Sequence, residues 1–135
     1  MVDKFYSSIQ DVNNLEHHLA VAIRELALEE VREKEFPNLP SRISCLYISN
    51  TFEEARQWFN YFKSLGRNVY GIFKVKINGR MFVGDANNCF YPSADKKTNI
   101  KLARNYWLNK PNLKNEPPIF ECLVDGTIEF IERVD

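Results

Sequence analysis

Residues 42–59, RISCLYISNTFEEARQWF, predict a strand that is followed at once by an amphipathic helix. The run ISCLYIS, residues 43–49, has apolar, β-branched and aromatic side chains, which predicts a strand buried on both faces. Thr51 and Glu54 have the spacing of a capping box, which satisfies orphan backbone N–H groups at a helix start. We expect the helix to end near Gly66, because glycine readily adopts the left-handed conformation that closes helices.

The spacing of apolar residues predicts two further helices, one over residues 12–34 and one over about residues 98–108. Each should pack along one apolar stripe. The inward side chains are expected to be Val12, Leu15, Leu19, Ile23 and Leu26 in the first helix, and Ile100, Ala103 and Trp107 in the second.

Two glycine-containing dipeptides predict β-hairpins. Asn78-Gly79 lies between alternating runs in VYGIFKVKINGRMFVG, and Asp125-Gly126 lies between IFECLV and TIEFIERV. Both dipeptides suit tight turns that need positive φ. The order helix, strand, helix, hairpin, helix, hairpin predicts an α+β fold with a largely antiparallel sheet.

Length and composition predict one domain over residues 1–135. The chain has 135 residues, of which 44% are apolar, enough for one full core and too few for two. Eighteen basic and eighteen acidic residues cancel. No overall electrostatic field therefore favours nucleic acid, an anionic membrane or a strongly charged substrate, and any such partner would have to be bound locally.

The cysteines and the N-terminus predict a cytoplasmic protein. The three cysteines contain no C-x-x-C pair, and an odd count suits a reducing compartment. The first residues, MVDKFYSSIQDVNN, have no apolar run typical of a signal peptide, and no stretch approaches the roughly 20 apolar residues of a membrane span. We therefore expect no membrane partner.

The residue types typical of metal sites and nucleophiles are sparse. His17 and His18 are the only histidines, and neighbouring residues on a helix point about 100° apart, so the two cannot converge on one metal. Cys45 and Cys122 lie in predicted apolar strands, where a free thiol is usually a small hydrophobic side chain. No phosphate-binding glycine motif occurs. No metal site is predicted.

Residues 96–114 contain a cluster of basic side chains without acidic neighbours in sequence, among which Tyr106 and Trp107 lie. We call this stretch the basic segment. A solvated helix face explains it, although positive charge beside aromatic rings also suits phosphates and stacked bases. Its basic residues are Lys96, Lys97, Lys101, Arg104, Lys110 and Lys114.

Glu121 interrupts the apolar run IFECLV near the end of the chain. A charged side chain there is costly unless it faces an edge, a partner or a cleft. Alternation along the strand alone predicts a surface position.

Two motifs together resemble the ADP-ribosyltransferase superfamily, in the branch with a histidine-tyrosine-glutamate signature that includes diphtheria toxin and the poly-ADP-ribose polymerases. SCLYISNTFEEARQWF is similar to the second motif of that branch, a strand with a tyrosine followed by a helix, and it supplies Tyr47. FECLVDGTIEFI is similar to the third, and it supplies Glu121. The whole chain is also similar to a family of small uncharacterised bacterial and phage proteins.

The resemblance implies a split antiparallel β core that binds NAD in the cleft between its two halves. It also implies an NAD-dependent transferase that moves ADP-ribose to a macromolecular acceptor, protein or nucleic acid. In such enzymes the tyrosine stacks on nicotinamide, and the glutamate binds the nicotinamide ribose and stabilises the cation formed as nicotinamide leaves. Tyr47 and Glu121 match these two roles.

The first motif of that branch is not reproduced. The superfamily usually presents a histidine or an arginine on its first strand, and the matching stretch here, KFYSSIQ, carries Tyr6 and Ser8. The resemblance makes these two residues candidate cofactor contacts. Arg42 could supply a compensating cation, because its forked donors suit phosphate.

The missing histidine leaves open a different class of function. The same scaffold could be a non-catalytic binding or inhibitor protein, from a phage or mobile element, that engages a host protein or nucleic acid through the basic segment. RNA 2′-phosphate transfer by an NAD-dependent relative is a third hypothesis, although such enzymes normally have more basic residues near the cleft.

Overall fold

The computed structural model of the protein describes residues 12–135, and it describes side chains from residue 15 onward. The order of helices and strands is the predicted one. The helices are α1 (Val12–Glu35), α2 (Phe52–Ser64), a short 3₁₀ helix (Ala86–Asn88) and α3 (Lys96–Trp107), and the strands are β1 (Leu46–Ile48), β2 (Phe73–Asn78), β3 (Met81–Asp85), β4 (Phe120–Val124) and β5 (Thr127–Arg133).

The described chain divides into two compact units, each built from two separate stretches. The helical unit comprises residues 12–37 and 85–118, and the sheet unit comprises residues 38–84 and 119–135. Helices combine with antiparallel strand pairs, so the predicted α+β class is confirmed. The assignment of residues 1–135 to a single domain stays a prediction.

The helical unit is held together by the packing of α1 on α3. Ala103, Tyr106 and Trp107 of α3 are buried, as predicted for Ala103 and Trp107. The indole Nε1 of Trp107 donates a hydrogen bond of 2.9 Å to the backbone carbonyl of Leu28 on α1. A buried indole needs such a partner, so this bond fixes how the two helices meet.

The predicted apolar stripe of α1 is wrong for the side chains that the structure describes. Leu15, Leu19, Ile23 and Leu26 are between 43% and 65% exposed. The buried positions also follow helical spacing, but they lie on another face of the helix and include small residues that allow close packing. The buried apolar side chains of α1 are Ala20, Ala27, Leu28 and Val31.

None of the helices within residues 12–135 has the length and the apolar character needed to span a membrane.

The start and the end of α2 follow the sequence closely. Thr51 is the N-cap, and its hydroxyl accepts a hydrogen bond of 3.1 Å from the backbone N–H of Glu54. The Glu54 carboxylate accepts in return from the backbone N–H of Asn50, one residue before the cap. After the helix Gly66 has a φ of +77°, the predicted left-handed closure.

Strand β1 is shorter and more exposed than predicted. It contains only Leu46–Ile48, because the preceding residues form a turn in which the N–H of Ser44 donates to the carbonyl of Ser41. Leu46 and Tyr47 are both exposed, so β1 is not buried on both faces. An apolar run in the sequence indicates that a strand can form, but it does not show how much of the strand is buried by the rest of the protein.

The two predicted hairpins do not form. β2 pairs antiparallel with β5 in a two-stranded sheet, whereas β3 lies beside β4 in a three-stranded sheet of order β1-β4-β3. The β strands before and after each glycine dipeptide therefore belong to different sheets. The predicted antiparallel character is correct for the pairs β1–β4 and β2–β5, but the partners within the hairpins were wrong.

The glycine dipeptides lie where the β2–β3 and β4–β5 connections pass side by side at close range. Asn78 pairs with Thr127 at the end of the two-stranded sheet, and Asp125 N–H donates to the carbonyl of Arg80 just beyond. A Cβ added to Gly79 would lie 1.9 Å from the backbone oxygen of Asp125. The missing side chain thus permits a close approach of two backbones, which a turn prediction does not anticipate.

We expect replacement of Gly79 by alanine to destabilise the protein more than replacement of Gly66. At Gly79 a Cβ overlaps backbone atoms and the two segments must move apart, at a cost of about 1–3 kcal/mol or more. At Gly66 nothing lies within 4 Å of the added Cβ, so only the left-handed φ is penalised, by about 1–2 kcal/mol. Urea unfolding of the two variants measures the difference in free energy of unfolding, and equal losses would contradict the crowding at Gly79.

Candidate functional site

Tyr47 and Glu121 lie on the same face of the β1–β4 pair. The register sets Tyr47 directly opposite Leu123, and residues opposite each other in an antiparallel pair point to the same side. Glu121 precedes Leu123 by two positions on β4, and strand alternation gives these two residues the same face. The two residues that carry the family resemblance are therefore diagonal neighbours on one sheet.

Arg42 joins these two side chains. Its guanidinium Nη1 donates a hydrogen bond to Oε1 of Glu121 and forms an ion pair with it. Its guanidinium carbon lies 5.6 Å from the centroid of the Tyr47 ring, within the range of a cation–π contact. The phenol of Tyr47 also donates to the backbone carbonyl of Arg42, at 3.4 Å. One arginine thus contacts both motif residues.

The turn before β1 fixes the position of Arg42. Pro40 is fully buried, and Ser41 is buried beside it. The hydroxyl of Ser41 accepts from the backbone N–H of Ile43, and its carbonyl accepts from that of Ser44. These bonds hold the backbone on both sides of Arg42, so its side chain extends from a fixed backbone position.

The ion pair explains a glutamate in an apolar strand. The side chains of Arg42 and Glu121 are only 7% and 13% exposed. Alternation along the strand predicts that Glu121 points to solvent, and this prediction is wrong. Glu121 faces a buried cation, which offsets the cost of removing a carboxylate from water.

Cys45 also contacts Arg42, although the sequence predicted only a packing role for its thiol. Its thiol donates to the backbone carbonyl of Arg42 at a sulfur–oxygen distance of 3.8 Å. Burial raises the pKa of the Cys45 thiol, and the nearby Arg42 charge and Tyr47 hydroxyl oppose this shift without reversing it. Cys45 lies one residue before β1 and two positions from Tyr47, and this short spacing is the sequence signal that brings the two residues close together.

Of the five predicted site residues, the structure brings three together. Arg42, Tyr47 and Glu121 form the contacts described above, and we refer to them as the RYE cluster. Tyr6 and Ser8, the other candidate cofactor contacts, lie outside the described residues. Across residues 12–135, no group of three or more histidine, cysteine or acidic side chains is arranged to hold a metal ion.

The basic segment has less unpaired positive charge than the sequence predicts, because acidic residues of α1 pair with some of its side chains. Arg104 forms hydrogen bonds of 2.7 and 2.9 Å to the carboxylate of Glu35, and these bonds hold the pKa of that carboxyl below its ordinary value of 4.5. The ammonium of Lys96 lies 3.5 Å from the carboxylate of Glu30. Two of the six basic side chains thus have intramolecular partners.

The aromatic residues of the basic segment are core residues. Tyr106 and Trp107 are buried, with ring centroids 5.0 Å apart in an edge-to-face arrangement. Buried rings cannot stack on exposed bases, so the expected combination of charge and aromatic surface is absent at these two positions.

The RYE cluster combines two chemical capacities in one place. The Tyr47 side chain is half exposed and presents an aromatic surface on which a flat ring can stack. The Glu121 carboxylate is held in position by a guanidinium, and a fixed carboxylate can stabilise positive charge that develops nearby. Such an arrangement suits a reaction that releases an aromatic leaving group and forms a cation.

We predict that Cys45 reacts slowly with iodoacetamide at neutral pH. Only the thiolate is nucleophilic, and a pKa raised above the ordinary value of 9.0 keeps the thiol protonated. The alkylation rate, followed by mass spectrometry of the Cys45 peptide, should rise as the pH increases beyond 9. The urea-unfolded protein is the control, and equal rates in folded and unfolded protein at pH 8 would contradict the raised pKa.

Comparison with known proteins identifies the family without indicating an activity. Among curated proteins there is no significant match to the chain. The family model described as "Protein of unknown function (DUF2441)" matches residues 3–135, nearly the whole sequence. The chain therefore belongs to the DUF2441 family.

Proposed function

We propose that the protein is an NAD-dependent ADP-ribosyltransferase-like enzyme. In this proposal Tyr47 stacks on the nicotinamide ring, and Glu121 stabilises the ribose cation that forms when nicotinamide leaves. The acceptor is a macromolecule, and the protein works in the cytoplasm. Tyr6 and Ser8 remain proposed NAD contacts.

The proposed reaction breaks one glycosidic bond and forms another. The bond between C1′ of the ribose and the nicotinamide nitrogen breaks, and nicotinamide leaves with the bonding electron pair. A nucleophilic group of the acceptor attacks C1′ and loses its proton, so the products are ADP-ribosylated acceptor, nicotinamide and one proton. When water attacks instead, the reaction is NAD hydrolysis.

The chemical need for Glu121 comes from the transition state. As the glycosidic bond stretches, positive charge builds on the sugar, and it is much larger in the transition state than in bound NAD. A carboxylate that is already fixed in place therefore lowers the barrier more than it strengthens substrate binding.

One observation carries the proposal: Tyr47 and Glu121, about seventy residues apart in the chain, are diagonal neighbours on one sheet and share a contact with Arg42. Chance matches to two short motifs would not be expected to meet in this way. The strands form two separate sheets, one three-stranded and one two-stranded, and each contains an antiparallel pair. This arrangement adds support, because the resemblance implies a split antiparallel core.

We expect Glu121→Gln to lower both ADP-ribose transfer and NAD hydrolysis by about 100-fold or more, because glutamine keeps the shape and removes the charge. Wild type and variant are incubated with labelled NAD and a bacterial lysate, and labelled macromolecules and released nicotinamide are quantified. Circular dichroism confirms that the variant is folded.

The matched control is Glu129→Gln, which removes an exposed carboxylate on β5 and should leave activity within about twofold of wild type. Wild type without transfer or hydrolysis, or a fully active Glu121→Gln, would refute the proposal. Salt-dependent binding of nucleic acid that is lost on replacing Lys97 and Lys101 would favour the non-catalytic alternative instead.

Loss of the Tyr47 ring should lower kcat/KM for NAD more than loss of the Tyr47 hydroxyl. Stacking on a flat ring contributes about 1–3 kcal/mol, so Tyr47→Ala should reduce kcat/KM for NAD by about 10-fold or more. Tyr47→Phe keeps the ring and removes the hydroxyl, whose hydrogen bond to the Arg42 carbonyl is long at 3.4 Å, and it should stay within about threefold of wild type. Steady-state kinetics of NAD hydrolysis test both, and equal loss in the two variants would exclude a stacking role.

A further inference from the structure

Arg42 contacts each of the three other candidate-site residues that the structure describes, Tyr47, Cys45 and Glu121. Its guanidinium pairs with Glu121 and lies over the Tyr47 ring. Its backbone carbonyl accepts from the Tyr47 phenol and from the Cys45 thiol. No sequence motif predicts this arrangement, because Arg42 lies outside β1 and is 79 positions from its carboxylate partner.

The burial of Arg42 distinguishes two possible roles. With 7% of its side chain exposed and a carboxylate as its partner, the guanidinium is already engaged inside the sheet unit. A guanidinium that is this deeply buried has little surface at which the phosphates of NAD could bind while the ion pair with Glu121 stays in place. The geometry favours a role in which the ion pair stays intact.

We infer that Arg42 is a positioning residue that holds the carboxylate of Glu121 beside the Tyr47 ring, and that it acts through these side chains without contacting NAD. The inference rests on the function proposed above and names the residue that orients its carboxylate. It replaces the phosphate contact expected from the sequence with a different role for the same arginine.

Arginine suits this role better than lysine. Its planar guanidinium can pair with a carboxylate while its flat face lies over an aromatic ring, whereas an ammonium is a compact point charge. Lysine at position 42 should therefore keep the charge but hold the carboxylate less rigidly.

The test separates an effect on kcat from an effect on KM. In NAD hydrolysis, Arg42→Met should lower kcat by about 10-fold or more while KM for NAD stays within about threefold, because substrate contacts remain and the transition-state interaction is lost. Arg42→Lys should recover a clear part of the lost kcat. Arg32→Met, which removes an arginine–glutamate pair of similar burial within α1 of the helical unit, is the matched control and should retain the wild-type kcat.

A double variant tests whether Arg42 acts through Glu121. Arg42→Met combined with Glu121→Gln should be no slower than Glu121→Gln alone, because the arginine has no carboxylate left to position. Multiplication of the two single losses would overturn the inference. A large rise in KM with unchanged kcat in Arg42→Met would also overturn it and would support a direct phosphate contact.

The outcomes distinguish this inference from the proposed function. An inactive wild-type protein refutes the proposed function and this role together. An active wild-type protein that depends on Glu121, but whose Arg42→Met and Arg42→Lys variants keep the wild-type kcat, refutes this role alone. If Arg42→Met does not fold, Arg42→Lys retains the charge, and its kcat and KM decide between the two roles.

Discussion

The close approach of two backbone segments at Gly79 and Gly126 is the constraint on which the sheet unit depends. A Cβ on Gly126 would lie 2.5 Å from the carbonyl oxygen of Asn78, and one on Gly79 would lie even closer to Asp125. Because neither glycine has a side chain, the β2–β3 and β4–β5 connections can lie directly against each other. In the three-stranded sheet β4 lies between β1 and β3, and its glutamate is on the same face as the tyrosine of β1.

The buried pair of Arg42 and Glu121 is the second determinant of the site, and stability alone does not explain it. Removing one partner of a buried ion pair typically costs about 3–5 kcal/mol, yet replacing both with apolar side chains is often neutral or stabilising. An apolar pair could therefore fill the same space. What only the charged pair provides is a carboxylate with a defined position beside an aromatic ring.

Local structure could be predicted from the sequence because its causes lie within a few residues. The cap at Thr51 and the left-handed Gly66 depend on neighbouring backbone groups, and both are confirmed. The α+β class follows from the order of helices and strands, which the periodicity of apolar residues gives directly. The grouping of Tyr47 with Glu121 was expected only through the family resemblance.

The partners of each segment were decided by the tertiary structure. Asn78-Gly79 and Asp125-Gly126 satisfy the rules for hairpin turns, but those rules do not include a second chain segment that needs the same space. Helix α1 offers two stripes with helical spacing, and packing against α3 selects the one that contains Leu28. The sequence by itself determined which segments are helices and strands and how α2 begins and ends. Only the tertiary structure decided which faces are buried, which strands pair and which cation meets Glu121, because these depend on contacts between residues far apart in the chain.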